Sequence, residues 1–468
     1  MRPRSDTITV PFAAVVVAML PAVLDQTILA TALPTIAGDL GRLTDVSWLV
    51  TAYVVAAAAA TPLWGKLGDR HGRRRLLEAA IALFLLASAA CGAAQGITEL
   101  IAARAVQGVA AGGLMALAMA AVGDLVSPRE RARYQGYIAS TFAVATVAGP
   151  LIGGVLVQHA SWRWVFYVNL PLGLAALAGI RARFPAPAEE RPAAPLDALG
   201  AALLAGATSA FMLACVWGGD RYAWGSAEIV GLLAAAVVLG AALAFRERRA
   251  ADPIVPVALL RTRTVAVASA ALFLATGTLF AINVFVPLFL QTTTGATPTE
   301  AGLLLVPMMA GITLSTNVAG HVIARTGRLR AFPPLGLALM TAGLGLLAVV
   351  ASDPSRAATG IGLAVFGLGF GMVGQVLTAA VQNGVDRRQL GIAMAATGFF
   401  RGLGGAVGAA ALGAVFAARA GNAESAGAVA DGVQTVFLVA VPVALAALAI
   451  TLLLDDVVLD GPQAAPSR

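Results

Sequence analysis

Uncharged apolar stretches recur along the whole chain, and they limit its fold more strongly than any other feature. Breaks that carry charges, glycine or proline divide the 468 residues into fourteen such stretches. Each is close to the ~20 residues that an α-helix needs to cross a bilayer, whereas barrel strands are shorter and alternate in polarity. With 59% hydrophobic and 12% charged residues, against about 45–50% and about 25% in soluble domains, the chain is predicted to be an all-α integral membrane protein.

The predicted membrane helices form two sets of six with a pair between them. The first six are predicted at 10–32, 46–64, 77–95, 99–123, 135–157 and 164–180. The pair is predicted at 197–217 and 226–245, and the last six at 265–289, 301–323, 332–351, 357–378, 391–416 and 434–454. The first stretch is too long for the apolar part of a signal peptide, so it is interpreted as an uncleaved helix.

The basic residues are distributed unevenly over the predicted loops. An even number of spans places both termini on one side of the membrane. With the N-terminus inside, 24 of the 31 basic residues fall in inner segments and five in outer segments, while Arg104 and Arg401 fall inside spans. This satisfies the positive-inside rule. We therefore predict a multi-pass protein of the bacterial inner membrane with both termini cytoplasmic, and the net charge of +7 is no sign of nucleic-acid binding.

A repeat at an offset of 255 residues relates the two sets of six helices. The loop "GKLGDRHGRRR" at 65–75 matches "GHVIARTGRLR" at 320–330. An even number of helices between the repeats keeps them parallel, which predicts two bundles related by an axis along the membrane normal, with substrate bound near the midplane. The predicted organisation is an N-terminal six-helix bundle at 1–184, a linker with two extra transmembrane helices at 185–262, a C-terminal six-helix bundle at 263–455 and a cytoplasmic tail at 456–468. The alternative for the extra pair is a merely longer linker.

Residue types that would indicate an enzyme or a metalloprotein are scattered. Cys91 and Cys215 both lie in apolar spans, so no disulfide framework is expected. The three histidines lack metal-ligand spacing, and neither a phosphate-binding loop nor a nucleophile–histidine pair is visible. We therefore expect a protein that is not an enzyme and that needs no cofactor or metal.

Asp25 and Arg104 are charges of opposite sign inside predicted helices one and four. Eighteen uncharged residues separate Asp25 from the preceding charge, Asp6. An acid at mid-bilayer depth costs at least ~2.5–3.5 kcal/mol, so its default interpretation is functional. At 1.5 Å per residue, Asp25 lies ~10 Å and Arg104 ~8 Å from the outer ends of their helices. We predict that the two side chains pair and that Asp25 is a proton carrier whose proton affinity depends on Arg104. A permanent ion pair that fixes the two helices is the alternative.

Four motifs occur in the order of a known transporter family. They are "LDQTILATALP" at 24–34, "GKLGDRHGRRR" at 65–75, "RAVQG" at 104–108 and "GPLIGG" at 149–154. Together they resemble the motifs of the major facilitator superfamily, specifically its fourteen-span drug:proton antiporters. The resemblance implies export of drugs, antibiotics or secondary metabolites driven by proton entry, with a small-molecule substrate, protons and the bilayer as partners and a monomeric state. The alternative is a facilitator or proton symporter that imports a small polar nutrient.

The resemblance also implies a cytoplasmic latch between the two bundles. By this comparison, Asp69 docks near the positive N-terminus of a helix in the other bundle, here the one that starts near Gly391. The contact forms when the cytoplasmic side closes and breaks when it opens. The predicted latch comprises Gly65, Gly68, Asp69, Arg70, Gly72, Arg73 and Asp124. A solvated basic loop that only orients the protein is the alternative for the arginines.

The fifth-helix motif contributes Gly149, Pro150, Gly153 and Gly154. Proline removes a backbone donor and favours a kink, and glycines offer a face that a neighbouring helix can approach closely. We expect this cluster to form a pliable, tightly packed seam that permits rocking between the two halves. Ordinary packing of small residues is the alternative for each glycine alone.

Polar residues in other spans are candidates for the wall of the substrate cavity. Arg401 lies about ten residues into its predicted helix, where it either faces an aqueous cavity and favours an anionic or neutral ligand, or extends along the helix to the interface. The remaining candidates are Gln107, Asn283, Asn317 and Gln375. Single polar residues of this kind also bond neighbouring helices.

Overall fold

A computed structural model describes residues 6–40, 43–184, 197–219, 221–250, 259, 261–352, 355–420 and 426–455 of the chain. The predicted tail at 456–468 and the linker segments at 185–196 and 251–258 lie outside these residues. Across the described part, the secondary structure is helical, with turns and one isolated bridge between Gly218 and Tyr222. The prediction of an all-α fold is confirmed.

The helices fall into an N-terminal half, an inserted pair and a C-terminal half. The N-terminal half contains α1 (Asp6–Leu40), α2 (Leu43–His71), α3 (Arg73–Ala93), α4 (Ile97–Leu125), α5 (Arg131–His159), α6 (Trp164–Tyr167) and α7 (Asn169–Arg183). The inserted pair is α8 (Ala198–Trp217) and α9 (Ala227–Glu247). The C-terminal half contains α10 (Arg263–Thr293), α11 (Pro298–Leu303), α12 (Val306–Thr326), α13 (Phe332–Ser352), α14 (Arg356–Gly384), α15 (Leu390–Ala420) and α16 (Ala426–Thr451). Because α6–α7 and α11–α12 each form one crossing, the described residues contain the predicted fourteen candidate membrane spans.

The two halves contact each other mainly through α5 with α12 and α2 with α15, and to a smaller extent through α4 with α15 and α5 with α14. Hydrogen bonds between the halves lie at the end that carries the arginine-rich loops, which we call the arginine-rich end. There Asn317 Nδ2 donates to Ser140 Oγ at 2.8 Å and Gln382 Nε2 donates to the Met119 carbonyl at 2.8 Å. Toward the opposite end of α5, Val144 is 69% exposed. The halves are therefore joined at the arginine-rich end.

The inserted helix α8 packs against both halves, on α2 and on α15. At one end, Trp48 and Trp217 form an edge-to-face pair with ring centroids 5.0 Å apart. At the other end, Asp197 caps α8 by accepting from Gly200 N at 3.0 Å, and Arg246 of α9 donates to its carboxylate at 3.1 Å. The backbone bond and then the guanidinium lower the pKa of Asp197. The insertion therefore covers the α2–α15 junction.

Candidate transport site

A buried polar contact of the N-terminal half joins Asp25 on α1 to Arg104 on α4. Arg104 Nη1 donates to Asp25 Oδ2, and the side chains of Arg104 and Asp25 are 1% and 0% exposed. A buried charge that loses its partner destabilises a protein by ~3–5 kcal/mol, so the pair is maintained as a unit. Helices α1 and α4 thus meet at the two charges that the sequence predicted to pair.

Three further polar side chains complete the shell around the Asp25 carboxylate. Gln107 Nε2 and Asn169 Nδ2 donate to Asp25 Oδ1 at 3.0 Å and 3.1 Å. Both amides also donate to Ser88 Oγ, at 3.2 Å and 3.0 Å, and Ser88 in turn donates to the Phe166 carbonyl. The Asn169 Oδ1 atom is buried with no hydrogen-bond partner among the described residues. The carboxylate therefore accepts from three donors on two different helices and sits in a fully polar shell inside an apolar bundle.

Tyr53 of α2 separates this network from the space between the halves. The Arg104 guanidinium lies 4.3 Å from the centre of the Tyr53 ring, a cation–π distance. The Tyr53 hydroxyl donates to the Ala22 carbonyl, one turn before Asp25, at 3.3 Å. Tyr53, Ala22 and Gln26 also line the central cavity. Asp25 is therefore one side-chain layer away from the cavity.

The cavity lies between the halves and has a volume of about 360 Å³. Helices α1, α2 and α4 form one wall, and α10, α14 and α15 form the other. The inserted helix α8 contributes Met212, which the sequence did not suggest. Met115, Met119 and Met394 bring the number of methionines in the wall to four. Flexible thioether side chains suit ligands of varied shape.

Of the five predicted cavity residues, only Arg401 lines the cavity. Gln107 was placed there wrongly, because its face of α4 turns toward Asp25 instead. Asn317 bonds to α5 across the arginine-rich end, and Asn283 is exposed outside the cavity wall. Gln375 keeps a buried Oε1 atom without a partner among the described residues, and it too lies outside the cavity wall.

The predicted latch residues meet at the arginine-rich end. Asp69 accepts from the backbone N–H groups of Gly391 at 2.8 Å and Ile392 at 2.9 Å, at the N-terminus of α15. Arg73 Nη2 donates to Asp69 at 3.0 Å, and Arg73 Nη1 donates to Asp124. The carboxylate therefore satisfies two of the free donors of a helix N-terminus in the other half and is flanked by a cation.

The loop glycines permit the close approach that this contact needs. A Cβ atom on Gly65 would lie 2.6 Å from the Gly391 carbonyl oxygen, and Gly68 lies directly against Leu117. Gly72 has φ 87°, a left-handed conformation that disfavours other residues, at the junction of α2 and α3. Arg70 differs from Arg73 in its hydrogen bonding. Its Nε and Nη1 atoms are buried without hydrogen-bond partners in the part of the chain that the structure describes.

The fifth-helix glycines pack inside the N-terminal half and not between the halves. Gly149 lies against Thr27 of α1, and a Cβ atom on Gly153 would lie 2.9 Å from the Ile28 carbonyl oxygen. A Cβ atom on Gly154 would meet nothing within 4 Å. The prediction of a tightly packed seam did not name the partner helix, since a glycine pattern defines a face but not what packs on it. The seam joins α5 to the turn of α1 that follows Asp25.

Substitutions at adjacent glycines test this assignment. We expect Gly153→Ala to destabilise the protein by about 1–3 kcal/mol, because the added methyl overpacks the α1–α5 contact. Gly154→Ala adds the same methyl where there is space and should not destabilise the protein, since alanine is the better helix former. The measurement is the thermal unfolding temperature of both variants in detergent, followed by intrinsic fluorescence. Equal unfolding temperatures would contradict the α1–α5 seam.

Several residues of the site were missed by the sequence analysis. Ser88 and Asn169 join the carboxylate shell, Tyr53 covers it, and Thr276 lines the cavity with a buried hydroxyl that lacks a partner among the described residues. Of these residues, Asn169 had the clearest signal in the sequence, since it is an amide inside an apolar stretch. Within the described residues, no group of three His, Cys, Asp or Glu side chains could hold a metal ion.

Comparison with known proteins identifies the family. A family profile described as Major Facilitator Superfamily matches residues 15–409. The chain belongs to the major facilitator superfamily. Proteins of this superfamily are transporters rather than enzymes. The two six-helix halves and the inserted pair are thus those of a major facilitator protein.

Relatives of this major facilitator protein have names that refer to transport. Multidrug transporter protein MdtP of Bacillus subtilis is 35% identical, over 87% of this chain and 75% of the relative. Multidrug resistance protein 3 of the same organism is 33% identical, over 85% of this chain and 77% of the relative. An uncharacterized MFS-type transporter of Mycobacterium tuberculosis is 39% identical over 89% of this chain, which spans only 61% of that relative's length.

Solved structures share the major facilitator fold. The human organic anion transporter MFSD10 has a TM-score of 0.70 at 17% identity, covering 96% of this chain and 100% of its own. The proton:xylose symporter XylE has a TM-score of 0.65 at 13% identity, covering 94% of this chain and 95% of its own. At such low identities these likenesses establish the fold alone.

Proposed function

We propose that this protein is a proton-coupled antiporter of a bacterial cytoplasmic membrane, with both termini inside, that exports amphipathic drugs, antibiotics or secondary metabolites. The observation that carries the proposal is the buried Asp25–Arg104 pair, one side-chain layer from a cavity between two halves. Relatives named multidrug transporter and multidrug resistance protein support the export function.

The proposed cycle couples Asp25 to the latch. A proton that enters from the outside neutralises Asp25, which weakens its attraction for Arg104 and changes the packing of α1 on α4. The halves then rock, the contact between Asp69 and α15 opens, and the cavity faces the cytoplasm. Substrate binding and proton release reset the arrangement. The closed arginine-rich end, with Asp69 bound to Gly391 and Ile392, supports an outward-facing assignment of the present structure.

The cavity wall supports amphipathic cargo over a small polar nutrient. Its lining is dominated by alanine, methionine, glycine and other apolar residues, with a few polar groups such as Gln26 and Thr61. A sugar or amino acid needs a dense set of hydrogen-bonding partners, because each buried polar group left unpaired costs ~1–3 kcal/mol. An apolar ligand body gains from burial against such a wall instead.

The test is a resistance panel in an efflux-deficient bacterium that expresses the full chain, followed by proton flux in everted vesicles. We expect resistance to amphipathic compounds that a protonophore abolishes. In vesicles with an acidic interior, an added substrate should release protons to the outside. Uptake of protons together with substrate would indicate a symporter, and transport that is unaffected by the protonophore would indicate a facilitator. Either result would overturn the proposal.

A further inference from the structure

Arg401 is the only charged residue in the described lining of the cavity. The other described lining residues are neutral, and none of them is acidic. The buried acid Asp25 of the other half is already paired with Arg104 behind Tyr53. The cavity therefore contributes one uncompensated positive charge in surroundings of low polarity.

The geometry of α15 leaves space around this guanidinium. Gly398 and Gly405 flank Arg401 by one helical turn on each side, so they share its face of the helix. A Cβ atom on Gly398 would meet nothing within 4 Å. A Cβ atom on Gly405 would lie 3.7 Å from Thr276 Cγ2, which places the Thr276 side chain across from the same face. Arg401 and Thr276 therefore face a common space that glycines keep open.

The Thr276 hydroxyl supplies a second free donor. Its Oγ1 atom is buried and has no hydrogen-bond partner among the described residues, although Thr276 lines the cavity. Buried hydroxyls are normally satisfied, so an unsatisfied one inside a ligand cavity points to a group that the ligand supplies. Arg401 and Thr276 can both donate hydrogen bonds, and neither side chain has an acceptor among the residues that the structure describes.

Resting on the proposed export function, we propose that Arg401 and Thr276 form a subsite for one carboxylate or sulfonate group on an otherwise apolar substrate. The planar guanidinium of Arg401 can donate to two oxygens of such a group at once, and the Thr276 hydroxyl can donate to a remaining lone pair on one of these oxygens. The methionine-rich wall receives the apolar body. A cationic amphiphile meets uncompensated repulsion in the same cavity, and a neutral one leaves the arginine unpaired.

The proposal has an electrical consequence. Exchange of one anion leaving the cell for one proton entering moves two positive charge equivalents inward, whereas exchange of a neutral molecule moves one. The membrane potential therefore accelerates export of the anion more steeply. In liposomes with a potassium diffusion potential, this dependence separates anion transport from transport of the matched neutral compound.

The test compares three probes of one shape: pyrenebutyrate, its neutral primary amide and the corresponding amine. Binding to the purified full chain in detergent is followed by fluorescence anisotropy, with protein-free micelles subtracted. We expect the carboxylate to bind roughly tenfold or more tightly than the amide, since a hydrogen bond to a charged group is a strong one. Arg401→Gln should remove the preference, Thr276→Val should reduce it, and Arg401→Lys should keep part of it.

The matched control is Arg419→Gln, which removes the same charge from the exposed end of α15 and should leave the preference intact. Four outcomes would overturn the proposal: equal binding of the three probes, no binding of the carboxylate, tightest binding of the amine, or a preference that survives in Arg401→Gln. If the preference fails while the pH gradient still drives export of the amide, the antiport function stands. If the preference holds while no gradient drives transport, the antiport function fails.

Discussion

Asp25→Asn is expected to reduce proton-driven export to the level of protein-free vesicles. Asparagine keeps the shape of the side chain and retains an oxygen for the donors on Gln107 and Asn169, but it carries no titratable proton. If Asp25 is the proton carrier, substrate addition to vesicles of this variant releases no protons. Exchange of substrate without a gradient should continue, because the cavity and the latch are unchanged.

The variant should also be less stable. Removing one charge of a buried pair leaves Arg104 uncompensated, which destabilises a protein by about 3–5 kcal/mol. Part of this loss is offset here, since Arg104 also donates to Gln107 Oε1 at 2.7 Å and to the Leu49 carbonyl at 3.2 Å. Thermal unfolding in detergent measures the loss, and a stabilising lipid or a lower assay temperature keeps the variant folded for transport.

A double variant separates a proton carrier from a permanent ion pair. Asp25→Asn combined with Arg104→Gln removes both charges, so no uncompensated buried charge remains to destabilise the variant. We expect the unfolding temperature to recover and the proton flux to stay absent. Recovery of proton-driven export would show that the pair only fixes α1 to α4. Asp39→Asn on the same helix, an exposed carboxylate bound to Trp162, is the matched control and should transport normally.

Depth along a helix was predictable from the sequence, and this is why Asp25 and Arg104 were paired correctly in space. The rise of 1.5 Å per residue and a common membrane boundary place two residues at one level without any knowledge of packing. Which side of a helix faces which neighbour was not predictable in this way. Ser88 and Asn169 lie far from Asp25 in sequence, and no periodicity indicates that α3 and α7 turn these side chains toward α1.

The same limit applies to Gln107 and to the fifth-helix glycines. Gln107 lies three residues after Arg104, on the same face of α4, so it belongs to the carboxylate shell and not to the cavity. Gly149 and Gly153 define a smooth face of α5, but the partner of that face is α1 and not the other half. In both cases the residue type and its helical position were informative, while the identity of the neighbouring helix required the structure.

The internal repeat is reflected in the contacts as well as in the residue types, because matching positions of the two copies pack against the opposite half. Gly65 crosses α15 at Gly391, and its repeat partner Gly320 crosses α5, where a Cβ atom would lie 2.8 Å from Arg133 Cα. Both copies of the loop therefore end a helix that passes close to the other half. Ala324 stands at the position that corresponds to Asp69, so only the first copy places a carboxylate at a helix N-terminus.

Asp69→Asn is accordingly expected to open the arginine-rich end. The substitution removes the charge from two hydrogen bonds to the start of α15 and from the contact with Arg73. A hydrogen bond to a charged group contributes ~1.5–3 kcal/mol, so the closed state should lose roughly tenfold to a hundredfold in population. Spin labels at His71 and Arg388, exposed residues on opposite halves, report the change as a longer distance in pulsed electron resonance. The background is Cys91→Ala with Cys215→Ala.

Two further variants decide whether charge or packing holds the arginine-rich end closed. Asp386→Asn removes an exposed carboxylate just before α15 and should leave the distance distribution unchanged. Gly65→Leu introduces a side chain where a Cβ atom alone would lie 2.6 Å from the Gly391 carbonyl oxygen, so it should open the same side without any change in charge. If Gly65→Leu lengthens the distance and Asp69→Asn does not, close packing of α2 on α15 maintains closure and the carboxylate is dispensable. If both variants lengthen the distance, the Asp69 carboxylate also contributes to closure. This is the result that we expect from the two backbone N–H groups that donate to Asp69.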